Sequence, residues 1–284
     1  MISFDFEYYR PDTAAEAAEI YQVLSGAGKN PLYYGGGTEI ITMAQSNQLK
    51  PGAIIDIKQI PECNVFEVRN DEILIGACLN LNQAAEGNLF PLLSKTARGI
   101  ADHGSRDKIT IGGNICGKLI YREGVLPFLV ADGEVVISGQ NGAAARPLSE
   151  VFSQTMQLRP GEFITQLKVK RSYASVAFFS QKKTKQAKVD YPLLTVAALR
   201  QGDDLRVAFS GLCTFPFRSV NIEQDLNSRD LSWESRVNNA LGRLPGPVLN
   251  DLRGSAAYRL FVLSGALRDM LTQLKGVGEN VSNA

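Results

Sequence analysis

Residues Tyr33 to Gln45 read YYGGGTEIITMAQ. Two tyrosines run into Gly35, Gly36 and Gly37, and a helix-like pattern restarts at once with Thr38, Glu39 and Ile40. Three consecutive glycines are entropically costly to order, so they are expected where the backbone must pass very close to something. Upstream, Thr13-Ala14-Ala15-Glu16 has the capping-box pattern that opens a helix, here through about Leu24. Gly26 and Gly28 stand where a C-terminal cap belongs, and PLYY follows as a short strand. Downstream, TEIITMAQS is a short helix and AIIDIK (Ala53 to Lys58) a second apolar strand. Residues 1–58 therefore read helix, strand, helix, strand, a small α/β unit.

The texture then changes. VFEVRNDEILIGA is two strands around Asn70-Asp71, a hairpin signal. Helical patterns follow near Leu81–Glu86 and Phe90–Asp102. Next come a glycine-rich turn, TIGGNICG (Thr110 to Gly117), a helical VLPFLVAD, and the strands EVVISG and ITQLKVK. This second unit runs to about residue 170. Beyond it, YASVAFFSQKK, YPLLTVAALRQ and LRVAFSGL are strand-like, with an antiparallel turn at RQGDDL. From about Ile222 to Leu274 the pattern is mostly helical. The last third thus predicts a separate unit, a three-stranded antiparallel sheet with helices, and the tail GVGENVSNA is expected to fray.

At 284 residues the chain suits two domains, or one with a sizeable appendage. Its 30 basic and 29 acidic residues leave a formal net charge of +1, too little for a protein that coats nucleic acid. No apolar run approaches the roughly 20 residues of a membrane span. The acidic, aromatic start MISFDFEYYRPDT lacks a signal-peptide pattern. Cys63, Cys78, Cys116 and Cys213 form no CxxC pair, so no local zinc or iron–sulfur site is expected and a reducing, cytoplasmic setting fits. His103, the only histidine, reads as a loop residue.

YYGGGTE and TIGGNICG are both glycine-rich turns flanked by hydroxyl or amide side chains. Successive N–H groups in such turns make an anion-binding concavity, and a helix start after Gly37 adds its positive dipole end. Two of them could clamp a pyrophosphate. Neither turn fits GxGxxG with a following acidic residue, and neither contains GxxxxGK[ST]. The residues alone leave open whether the glycines make only tight turns.

GGGTEI followed by RDKITIGGNICG resembles the FAD-binding medium subunits of molybdenum hydroxylases, the xanthine dehydrogenase and carbon monoxide dehydrogenase type. The likeness extends through IIDIK, ILIGA and LPFLVADGEVVI. It implies an α+β fold: an FAD-binding domain of vanillyl-alcohol-oxidase type over residues 1–170, with subdomains of about 1–58 and 59–170. A C-terminal domain over 171–284 carries the three-stranded sheet and helices. Carried over, the cofactor-binding residues are Tyr34, Gly35, Gly36, Gly37, Thr38 and Glu39 in the first turn and Thr110, Ile111, Gly112, Gly113 and Asn114 in the second, with Arg106 before it and Glu123 after it. Glu39 and Glu123 stand where the family usually has Asp, and Leu119-Ile120 replace its Ser-Pro. Both carboxylates are expected to accept hydrogen bonds from sugar or ribityl hydroxyls or from loop amides, with Lys118 or Arg122 the nearest cation. In KKTKQAKVDYP (Lys182 to Pro192), Asp190 and Tyr191 are expected to reach back over the flavin ring.

The resemblance further implies noncovalent FAD, a two-cluster iron–sulfur subunit and a molybdopterin subunit as partners, and electron transfer to NAD or another acceptor. No catalytic base and no metal ligand is expected in this chain. An alternative reading is a non-catalytic assembly or maturation module with weak or lost FAD binding.

Overall fold

The computed structural model describes residues 1–185 and 189–274. Its first unit is a parallel sheet of three strands, β1 (Glu7–Tyr9), β2 (Pro31–Tyr34) and β3 (Ala53–Asp56), in the order β1-β3-β2. Two helices connect them, α1 (Ala14–Gly26) and α2 (Thr38–Gln45). The Thr13 hydroxyl caps α1 by accepting from the Glu16 N–H. Strand β1 was not foreseen, because three residues of alternating exposure carry little pattern. The second apolar strand ends earlier than expected. The Asp56 carboxylate accepts from the Lys58 N–H at 3.0 Å and turns Ile57–Gln59 into a single 3₁₀ turn.

The second unit is an antiparallel sheet of β4 (Phe66–Arg69), β5 (Glu72–Gly76), β6 (Glu134–Gly139), β7 (Gly142–Pro147) and, later in the chain, a long β-strand at Phe163–Lys170, in the order β4-β5-(163–170)-β6-β7. Asn70 and Asp71 both take positive φ, 50° and 63°. That is the geometry of a two-residue turn whose twist matches a hairpin. Helices α3 (Leu81–Gly87), α4 (Pro91–Arg98), α5 (His103–Arg106), α6 (Ile111–Cys116) and α7 (Leu126–Val130) lie between β5 and β6. The helix expected from Phe90 to Asp102 ends at Arg98, and α5 begins only after that span, at His103. The sequence TIGGNICG is also more than a turn, since Ile111–Cys116 winds into α6 once the Thr110 hydroxyl accepts from the Gly113 N–H. Strand β7 escaped the sequence reading because all six of its residues are exposed.

After β7 come a short α8 (Leu148–Val151) and a two-residue ribbon of β8 (Phe152–Ser153) with β9 (Thr155–Met156). The strand Phe163–Lys170 is β10. The last sheet has four antiparallel strands rather than three: β11 (Phe178–Lys183), β12 (Leu194–Gln201), β13 (Asp204–Ser210) and a two-residue β14 (Phe217–Arg218). Gly202, at φ 59°, makes the tight turn between β12 and β13. Helices α9 (Val220–Asn227), α10 (Trp233–Leu241) and α11 (Ala256–Leu274) follow. The tail read as fraying lies outside the described residues.

Residues Leu194 to Leu199 of β12 are all buried, because this sheet is covered on both faces. Val196, Ala198, Val207 and Phe209 pack against α9–α11. Ala197, Leu199 and Ala208 point the other way and join the core of the second unit, beside Phe128 and Leu93. The first unit is fixed to the second by Tyr33, whose ring lies against Tyr21 at 5.2 Å and Phe163 at 4.3 Å. Its hydroxyl donates to the Gly161 carbonyl at 2.9 Å.

Candidate functional site: two glycine turns in contact

The turns quoted from the sequence meet in space. A Cβ built on Gly36 would fall on the Lys108 carbonyl, and one on Gly35 would lie 3.0 Å from the Thr110 Oγ1. Gly37 has φ 71° and sits under the Tyr34 ring, where a Cβ would clash with the phenol. In the second turn, a Cβ on Gly112 would come within 2.8 Å of the Ala77 Cβ. The glycines thus answer a specific need: they let one loop lie directly on the other, and let Gly37 take a backbone angle that side chains resist.

The two turns do not offer the same donors. In the second, the N–H groups of Ile111 and Gly112 donate to the Leu79 and Ala77 carbonyls at 2.8 and 2.9 Å. The N–H groups of Gly113 and Asn114 donate to the Thr110 hydroxyl and carbonyl at 3.1 and 2.8 Å. Four of the five expected residues therefore have their N–H groups engaged within the fold, and Ile111 is a core residue. In the first turn, Gly37 has no side chain to cap α2. The first amides of a helix have no intrahelical acceptor, so those of Thr38 and Glu39 stand at a positive dipole end without a side-chain cap. The open amides belong to the first turn, and the second forms the wall beside it.

Glu39 joins the two turns. Its carboxylate accepts from the Lys118 N–H at 2.7 Å and the Leu119 N–H at 3.4 Å, in agreement with the expectation that it binds loop amides. On the other side, Lys58 donates to the Gly35 carbonyl at 3.2 Å and to Asp56 at 2.6 Å, and lies over the Tyr34 ring at 4.3 Å. Sequence reading gave Lys58 no role; its signal was the family-like stretch IIDIK. Burial, and then the Asp56 charge, push the Tyr34 phenol above its ordinary value of 10. The outer side of Tyr34, with Phe4, Phe6, Tyr8, Ile40 and Ile54, borders an apolar cavity of about 250 Å³, too apolar for phosphate.

Other expected residues lie differently. Arg106 is a staple: it donates to Asn82 Oδ1 at 2.8 Å and to the carbonyls of Arg98, Ile100 and Ala101 at 3.3, 3.2 and 2.8 Å, pinning the end of α4. Glu123 is buried, not turned to a ligand. It accepts from the Thr195 hydroxyl at 2.5 Å and the Lys182 ammonium at 3.1 Å, side chains of the last sheet in place of the loop amides among its expected partners. Desolvation raises its pKa, opposed by Lys182 and Thr195. Arg122, expected to be a cation for phosphate, donates to the Gly117 and Gln154 carbonyls at 3.0 and 2.7 Å. Asn114 accepts from the Gly124 N–H at 2.8 Å. His103 is exposed on α5.

Tyr191 packs on a residue just past the second turn. It stacks on Tyr121 at 4.8 Å and 18°. Arg253 lies 5.0 Å over the Tyr191 ring and 3.9 Å from Asp190. Residues 186–188 of the same loop lie outside the described residues.

Residues 4–170 match the family described as "FAD binding domain in molybdopterin dehydrogenase", and the chain belongs to that family. It is an FAD-binding chain of the molybdopterin dehydrogenase type. It is 24% identical over 270 residues to the glyceraldehyde dehydrogenase medium chain of Sulfolobus acidocaldarius, covering 90% of this chain and 93% of that one. It is 26% identical over 272 residues to the carbon monoxide dehydrogenase medium chain of Hydrogenophaga pseudoflava, covering 91% and 93%. A solved structure of that organism's carbon monoxide dehydrogenase, lacking the Mo-pyranopterin moiety of its molybdenum cofactor, superposes with a TM-score of 0.85 at 23% identity, over 96% of this chain and 98% of that one. Among the described residues no helix is long and apolar enough to cross a membrane.

Proposed function

We propose that this chain is the FAD-carrying electron-transfer subunit of a molybdenum hydroxylase complex. The observation that carries the reading is the contact of the two glycine turns beside the uncapped start of α2. A cradle whose glycines leave no room for a Cβ, with open amides at a positive helix end, suits a pyrophosphate. Gly35–Glu39 would hold it, with Thr110–Asn114 as the wall. FAD, when bound, supplies a centre that takes up a pair of electrons and can release them one at a time. The chain's part is to fix that group and limit solvent access, with Tyr191 and Asp190 toward the ring end.

In this reading residues 1–170 form the FAD domain of vanillyl-alcohol-oxidase type, with subdomains 1–58 and 59–170, and residues 171–284 the C-terminal domain. The partners are an iron–sulfur subunit that delivers electrons and a molybdopterin subunit that hydroxylates the substrate, with NAD or another acceptor beyond. Medium chains among the relatives support such an assembly. The four free cysteines suit a reducing cytoplasm. The test is a visible spectrum of the purified chain after incubation with FAD and gel filtration. Retained flavin bands, released by acid, are expected. A protein that stays colourless at saturating FAD overturns the reading in favour of a non-catalytic assembly module.

A further inference from the structure

Four consecutive residues after the second turn each hold a different part of the molecule. The Tyr121 carbonyl accepts from the Ser210 hydroxyl of β13 at 2.5 Å, and its ring stacks on Tyr191. Arg122, with φ 36°, grips the Gly117 and Gln154 carbonyls. Glu123 holds Lys182 of β11 and Thr195 of β12. The Gly124 N–H holds the Asn114 side chain, and a Cβ on Gly124 would press within 2.6 Å of that amide oxygen. A non-glycine residue at φ 36° is uncommon. Such backbone persists where its surroundings fix it from several sides.

The geometry points to Glu123 as a positioning residue of the cofactor site. It rests on the reading of the chain as an FAD carrier. The Glu123 carboxylate is engaged inside the fold by Lys182 and Thr195. It ties Gly124, and through it Asn114 of the second turn, to the C-terminal sheet. The same sheet carries the loop of Tyr191, so one buried ion pair sets both the wall of the phosphate cradle and the aromatic cover. Lys182 extends the tie, since its ammonium also donates to the Gly99 carbonyl at 2.9 Å, at the end of α4. Glu123 is 4% exposed, so its loss leaves Lys182 with a poorly solvated, uncompensated charge. The strain is released by displacement of the segment, and the second turn moves with it.

The experiment measures FAD dissociation constants by quenching of flavin fluorescence, with visible circular dichroism of the bound flavin, for wild type, Glu123→Gln, Lys182→Met, the double variant and Thr195→Val. Far-ultraviolet circular dichroism selects variants that are folded at the measuring temperature. Each charge variant is expected to bind FAD at least about tenfold more weakly, with an altered flavin circular dichroism spectrum. The double variant, which leaves no lone charge, should recover to within about threefold of wild type. Thr195→Val, the mildest change, should weaken binding a few-fold if the charge variants do not fold. Unchanged affinity in folded variants overturns the proposal and leaves Glu123 a purely structural residue. A double variant that is worse than either single also overturns it, because both side chains would then touch the cofactor directly. Wild-type protein that binds no FAD defeats the functional reading first, and the inference with it.

Discussion

Gly36 lies directly beneath the Lys108 carbonyl, so that the smallest possible side chain at position 36 would occupy the same space as the peptide of the second loop. The neighbour is backbone, which cannot rotate away as a flexible side chain could. Gly36→Ala is therefore expected to push the loops apart, cost about 1–3 kcal/mol of stability, and abolish retention of FAD. Differential scanning fluorimetry and the flavin-to-protein ratio check both effects. An unchanged melting temperature with full flavin occupancy contradicts the loop contact itself.

Glu39 offers a milder perturbation of the same junction. Glu39→Gln keeps one acceptor for the Lys118 N–H, whereas Glu39→Ala removes both. We expect Glu39→Ala to weaken FAD binding by about tenfold, or about 1.4 kcal/mol, and Glu39→Gln much less. Fluorescence titration with FAD separates the two. Equal losses would mean that the charge, rather than the hydrogen bond to the loop, is what counts.

The raised pKa of Glu123 makes a pH prediction. A carboxyl whose folded pKa is raised above its unfolded value of about 4.5 adds stability that is fully present below the unfolded value and lost as pH rises through the folded one. Desolvation is the main cause, opposed by Lys182 and Thr195, the groups that face it. The stability of wild type relative to Glu123→Gln should therefore increase as pH falls from neutral toward 4.5. Urea titrations of both FAD-free proteins across this range measure it. A gap that narrows on acidification means the desolvation is smaller than the attraction to Lys182.

Tyr191 is 43% exposed and held by its stack on Tyr121. Such a pair contributes about 0.5–1.5 kcal/mol beyond its buried area. Tyr191→Ala should leave FAD bound but make it more accessible to a small quencher. Iodide quenching of the flavin emission reads this directly, and an identical quenching constant would place Tyr191 away from the ring.

Much of this architecture was legible in the sequence, and the failures share a cause. The hairpin at Asn70-Asp71, the cap at Thr13 and the strands of the last sheet are set by neighbours in the chain, and they appear where local chemistry put them. Strand β7 was missed because its residues bury nothing, and β1 and β14 because two or three residues carry no periodicity. At the site, two turns clamping a pyrophosphate were expected; their direct contact and the direction of each N–H were not. The donors of the second turn are engaged by Leu79, Ala77 and Thr110. The Leu79 and Ala77 carbonyls lie more than thirty positions earlier, in the run after β5. Glu123 likewise finds Lys182 and Thr195 only once two remote strands have come together, a pairing that no spacing in the sequence announces.

The burial of β12 on both faces bears on how the chain can be divided. The segment that carries the family match ends at residue 170, yet Ala197, Leu199 and Ala208 complete the core of that segment from beyond it. A truncated chain stopping there would expose the apolar surface around Phe128 and Leu93 and leave Glu123 without its ammonium. The first 170 residues are thus expected not to fold without the sheet that follows them. The intact chain should melt in one cooperative transition, and recombinant fragments cut at that point should be recovered only as insoluble material.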